Sequence, residues 1–152
     1  HSSRWRISFF LKLQCLRRSP SQKQMIGHGF NIALHPRLIE HAIRNDICLE
    51  VCPLSNFILA YTLDLRWHPV RYLISQGLQI SISSDDPGFF NYAGVTLDFA
   101  YACIAWELSI SDLKQLSLNG IRFSTLTEEL RDLHFQKFHN DWNEFIKVFI
   151  KD

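Results

Sequence analysis

The most constraining feature of this chain is an alternation. Short apolar runs are halted by turn residues, and a helical pattern separates each run from the next. Met25-Ile26 stops at Gly27-His28-Gly29, Ile47–Val51 stops at Pro53, and Leu78–Ser83 stops at Ser84-Asp85-Asp86-Pro87. Pro36 opens a helix to about Asn45, with Leu38, Ile39, Ala42 and Ile43 as its apolar face. Leu54 to Trp67 reads as a loop with some helical content. Pro69 opens a second helix to about Gln76, and Gly77 fits its C-cap. In the last run Leu78, Ile80 and Ile82 share a strand face. Further helices are expected from about Gly94 to Glu107, from Ser111-Asp112 to about Arg122, and from Thr127, a plausible N-cap, onward. Strand, helix, strand, helix, strand, helix with short links predicts an α/β fold with parallel strands. Three strands cannot close a (β/α)8 barrel, which takes roughly 250 residues. The pattern therefore fits either a small open α/β domain or the tail of a larger barrel.

Composition fits one globular unit. The chain has 152 residues, of which 47% are apolar and 20% charged, which excludes a disordered or fibrous chain. The net charge of +1 gives no reason to expect a nucleic-acid partner. No apolar run approaches the roughly 18 residues of a membrane helix, and Ile7 to Leu13 is too short and interrupted for a signal peptide. The charge is unevenly placed. Residues 1–24 hold six basic residues and no acid, whereas residues 25–152 hold ten basic and fifteen acidic ones. Residues 1–24 read as an atypical basic leader, unpatterned for strand or helix, and residues 25–152 as the organised unit.

Four cysteines do not make a disulfide framework in a chain this long. Cys48 and Cys52, in an apolar stretch, read as buried free thiols.

Chemistry-bearing residues stand where strands end, the place where parallel α/β folds bind ligands. His28 follows the first run directly, between two glycines that allow a tight turn and leave the imidazole open. Its plain alternative is a surface turn histidine. Asp85-Asp86 follows the third run. Adjacent carboxylates repel, and a cation or a donor-rich ligand relieves that. On an extended chain neighbours point opposite ways, so one Asp can take a metal and the other a substrate. The plain alternative is a solvated turn or helix cap. His68 and His35, each before a proline, read as capping or surface residues. The last helix carries the stripe Leu130, Leu133, Phe138, Trp142, Phe145, Ile146, Phe149, read as core or subunit packing. Phe89, Phe90 and Tyr92 are candidates to wall a pocket.

Three segments taken together resemble a known family. Met25-Ile26-Gly27-His28-Gly29-Phe30, Glu50-Val51-Cys52-Pro53-Leu54-Ser55-Asn56 and Ser81-Ile82-Ser83-Ser84-Asp85-Asp86-Pro87 are similar, in order and spacing, to the last motifs of the adenosine deaminases. Asp64-Leu65-Arg66-Trp67-His68-Pro69 and Leu113-Lys114-Gln115-Leu116-Ser117-Leu118-Asn119 resemble the secreted branch, the adenosine-deaminase-related growth factors. The resemblance covers about Met25 to the C-terminus. It implies the C-terminal portion, about strands six to eight, of a metal-dependent-hydrolase (β/α)8 barrel.

The resemblance also implies a function: hydrolysis of adenosine, and of 2'-deoxyadenosine, to the inosine product and ammonia with one Zn2+. It makes Asp85 a zinc ligand and Asp86 the residue that hydrogen-bonds the purine. His28 becomes the histidine that handles the proton of the water activated by zinc. The family's His-x-His pair and its His-Ala-Gly-Glu motif, whose Glu donates a proton, are absent from this sequence. The remaining zinc ligands would lie there, so the 152 residues read as a fragment inactive alone. The resemblance further implies an extracellular protein and a homodimer at full length. The alternative is a catalytically dead extracellular growth-factor-like or binding protein on the same scaffold.

Overall fold

The computed structural model describes residues 24–150. Three strands, β1 (Gln24–Gly27), β2 (Ile47–Val51) and β3 (Gln79–Ile82), form one parallel sheet in that spatial order. Met25 lies opposite Cys48, and Leu49 opposite Ile80. Parallel pairing requires crossovers, and two helices make them: α1 (Pro36–Arg44) and α3 (Val70–Ser75). Between them lies α2 (Pro53–Ile58), and after the sheet come α4 (Thr96–Trp106), α5 (Ile110–Arg122) and α6 (Glu128–Ile150). Two 3₁₀ segments, Gly29–Leu34 and Leu65–Trp67, complete the connections.

Helix starts follow local chemistry. Pro36 and Pro53 sit at the first turns of α1 and α2, where a missing N–H costs nothing. Gly77 takes φ +85° after α3 and turns the chain into β3. The start of α5 differs from the expectation. The helix begins at Ile110, because Ser109 rather than Ser111 lies three residues before Asp112 and closes a reciprocal capping box with it. Thr127 caps α6 as expected: its hydroxyl accepts the Leu130 N–H at 3.4 Å.

Burial is deepest at the middle strand. Ile47, Cys48, Leu49 and Val51 are buried, as are Val70 and Leu73 from α3 and Trp106 from α4. By contrast β1 is exposed to half-buried along its length. Ser81 is buried as well as Ile80, so β3 is covered on both faces and not on one alone. Asn119 of α5 donates to the Ile80 carbonyl at 2.7 Å and accepts from Gln115 at 2.9 Å, which docks α5 on β3. Cys48 and Cys52 are buried free thiols, and burial pushes both up to about 12.

The aromatic stripe of α6 divides into two. Phe138, Trp142 and Ile146 are half-buried, and Lys114 of α5 sits 5.5 Å over the Trp142 ring. Leu130, Leu133 and Phe145 are exposed. Among the described residues, packing covers one side of the stripe only, the side that carries Phe138, Trp142 and Ile146.

His68 is a cap and not a surface residue. Its Nδ1 accepts the Val70 N–H at 3.3 Å, its Nε2 faces Asn56 Oδ1 at 3.4 Å, and it is 3% exposed. The ring packs between Phe30 and Trp106. Those contacts require the neutral Nε2–H tautomer, and burial lowers the imidazole from 6.5 to about 4. The unfolded chain takes up this proton below 6.5 and the folded one does not until about pH 4. Stability is therefore lost as pH falls through that window, by at most about 3 kcal/mol from this residue. In a folded protein carrying residues 24–150, His68→Gln should flatten the fall of thermal midpoint between pH 7 and pH 4.5. An unchanged slope would contradict the assignment.

Candidate active site

The three strands end at one rim, and each exit supplies a polar group. His28 follows β1 directly. Its amide donates to the Glu50 carbonyl at 3.0 Å, continuing the ladder, and its backbone takes φ +52°. The tight turn expected between the flanking glycines is present, and the left-handed conformation in it falls on the histidine itself. Gly29 serves close approach instead: a Cβ there would lie 2.8 Å from both Ile26 Cγ2 and Leu49 Cδ1. The turn aims His28 Nε2 at Asp85 Oδ2, 3.6 Å away. His28 Nδ1 is buried and has no hydrogen-bond partner among the described residues.

Ser55 leaves the β2 exit on α2, fully buried, and its hydroxyl donates to Asp85 Oδ2 at 2.7 Å. The segment after β3 is not extended at the carboxylate pair. Asp85 takes φ +59°, and the Asp86 carbonyl accepts the N–H groups of Phe89 and Phe90 in a turn. The expected opposite pointing of neighbours on an extended strand therefore has no basis here. The bend, not a pleat, separates the two carboxylates. Asp86 is exposed, and the structure gives its side chain no bond to His28 or Ser55. Phe89 is 84% exposed, whereas Tyr92 turns inward.

Three residues with no role in holding the site assigned from the sequence shape this rim. Ser55 is one. The others are Asp98, at the start of α4 and fully buried, and Tyr92. Asp98 Oδ1 accepts the Leu54 N–H at 3.0 Å, and Oδ2 accepts the Tyr92 hydroxyl at 3.1 Å. The Tyr92 hydroxyl also reaches the Ser84 carbonyl at 2.9 Å. Burial raises the Asp98 carboxyl above the usual carboxylate range and, together with the Asp98 charge, raises the Tyr92 phenol. A signal for Asp98 was present: it is the one acid in the otherwise apolar stretch Thr96–Trp106.

The setting of Asp85 fits one ligand of a metal, not a whole site. A carboxylate whose one oxygen is fixed by a hydroxyl, on a bent backbone with an imidazole beside it, is how proteins orient a ligating carboxylate. Among the described residues no group of three His, Cys, Asp or Glu side chains is placed to hold an ion. What these residues bring together is one hydroxyl-anchored carboxylate and one imidazole 3.6 Å from it.

Known proteins share this arrangement of elements. The family model for adenosine deaminase matches residues 14–149. Adenosine deaminase 2 of Dictyostelium discoideum is 40% identical over 126 residues, which is 82% of this chain and 23% of that relative. The crystal structure of an adenine deaminase from Arthrobacter aurescens superposes with a TM-score of 0.72 at 26% identity, covering 79% of this chain and 36% of that one. An amidohydrolase from Burkholderia ambifaria, solved with bound Zn, superposes at 0.71 with 22% identity, over 84% of this chain and 36% of that one. The three strands are a portion of the (β/α)8 barrel these structures share, and this chain spans under a quarter of its Dictyostelium relative. The chain belongs to the adenosine deaminase family.

Proposed function

We propose that this chain supplies part of the active-site rim of a zinc-dependent hydrolase that deaminates adenosine, and 2'-deoxyadenosine, to the inosine product and ammonia. The observation that carries the reading is the meeting of His28, Ser55 and Asp85, from three separate strand exits, around one carboxylate oxygen. In this reaction water adds at C6 of the purine, the C6–N bond breaks, and the amino group departs as ammonia. Zinc, when bound, supplies Lewis-acid activation of that water near neutral pH. Asp85 is the ligand, and its negative charge favours holding a dication. Ser55 keeps Asp85 in one rotamer. His28 Nε2 holds the proton taken from water, a task suited to an imidazole. Asp86 hydrogen-bonds the purine and orients C6. The name of the Dictyostelium relative favours the nucleoside over the free base named for the Arthrobacter structure, which is less similar in sequence. By resemblance to the secreted branch, the assembled protein is extracellular and homodimeric. No helix among the described residues is long and apolar enough to cross a membrane. On this reading residues 25–152 are the C-terminal part of the catalytic domain, and the family match extends from residue 14 into the basic segment before them.

A hybrid tests this. The matched segment of the Dictyostelium relative is replaced by the corresponding residues of this chain, which puts the three strand exits into a complete barrel. The hybrid should convert adenosine to inosine, lose the activity to a chelator and regain it with Zn2+. A folded hybrid without deaminase activity would overturn the reading and favour a binding protein on the same scaffold.

A further inference from the structure

Asp98 is fully buried and has no place in the chemistry above, yet its two oxygens reach both loops that carry the site. Oδ1 accepts the N–H of Leu54, the residue before Ser55. Oδ2 meets the Tyr92 hydroxyl, which reaches the carbonyl of Ser84, the residue before Asp85. Ser55 and Asp85 then bond to each other. The contacts close a ring: Asp98, Leu54, Ser55, Asp85, Ser84, Tyr92 and back to Asp98. Two of the bonds span large sequence separations, 44 residues for Leu54–Asp98 and 30 for Ser55–Asp85. The Ser84 carbonyl belongs to the peptide unit that precedes the φ +59° bend at Asp85. Fixing that carbonyl fixes where the Asp85 side chain emerges.

We propose that Asp98 and Tyr92 are positioning residues that clamp the β2 and β3 exit loops together and so set the placement of the Asp85 carboxylate. The inference rests on the reading of Asp85 as a metal ligand. Neither residue touches substrate. Both act through the backbone, as groups behind a ligand commonly do, with effects of about 10–100-fold on metal affinity or activity.

The ring makes graded demands on its members. Tyr92→Phe keeps the aromatic packing and removes the hydroxyl that links Asp98 to Ser84, leaving the tie from Asp98 to Leu54 in place. Asp98→Ala removes the ties to both loops. Asp98→Asn keeps an oxygen for the Leu54 N–H and offers an N–H to the Tyr92 oxygen, which leaves the phenol proton for Ser84. In the hybrid, Tyr92→Phe should lower kcat about 10-fold and Asp98→Ala about 100-fold, with KM changed less than about 2-fold. Zn2+ should be lost to a chelator faster in the same order, and Asp98→Asn should restore most of both. Amide hydrogen exchange gives a readout free of activity and metal. The Leu54 amide should exchange faster in Asp98→Ala, and the 83–92 segment faster in Tyr92→Phe. If Asp98→Ala does not fold, Tyr92→Phe decides. A Tyr92→Phe hybrid with parental exchange, Zn2+ loss and kcat would overturn the clamp. A parent hybrid that binds Zn2+ but does not deaminate would overturn the proposed reaction, while Zn2+ loss and exchange would still decide the clamp.

Discussion

Replacing Asp85 by alanine in the hybrid should remove zinc and activity together. Asp85 is the one carboxylate of the rim that is held both by a buried hydroxyl and beside an imidazole. Losing it leaves a ligand set with no negative charge to hold a dication. The loss of Lewis-acid stabilisation, several kcal/mol, corresponds to at least about 10³-fold in rate. Asp86→Ala should behave differently. It removes a hydrogen bond from a charged group to the base, worth about 1.5–3 kcal/mol, or about 10–100-fold in kcat/KM, with zinc retained. Metal analysis and steady-state kinetics on the two variants separate the roles. Equal zinc loss in both would contradict the division between the two carboxylates.

The fold was largely legible because its signals are local. Prolines at 36 and 53, Gly77 and the apolar runs each act within a few residues. The parallel order follows from helical crossovers between short strands. His28 and Asp85 could be placed on one rim for the same reason, since each follows a strand of a parallel sheet. What failed was also physical. The bend at Asp85 breaks the alternation of an extended chain, and it is held by groups far away in sequence. Ser55 was visible within a motif, but its partner lies 30 residues on, and a hydroxyl in a motif does not announce what it bonds. The start of α5 was placed too late because two serines precede Asp112 and only the reciprocal bonds show that Ser109 is the cap. The stripe on α6 told where apolar surface lies. It could not tell how much of that surface neighbouring elements would cover.

A polypeptide of residues 1–152 alone should neither deaminate adenosine nor hold zinc tightly. Catalytic zinc takes about three protein ligands. The described residues bring Asp85, with His28 beside it, and no group of three candidate ligands. General acid catalysis is worth about 10²–10⁴-fold, and the sequence lacks the His-Ala-Gly-Glu motif whose glutamate would provide it. Packing points the same way. Among the described residues β1 and β3 each pair only with β2, so each has an open edge that favours association. The exposed to half-buried pattern of β1 contrasts with the buried middle strand, as expected where a barrel wall continues beyond it. Leu63, Trp67 and Ile104 are each more than 80% exposed. The purified polypeptide should therefore bind hydrophobic dyes or self-associate in sedimentation, and isothermal titration should show weak Zn2+ binding. A soluble monomer that turns adenosine into inosine, and stops when a chelator is added, would refute this and would require ligands from residues 1–23.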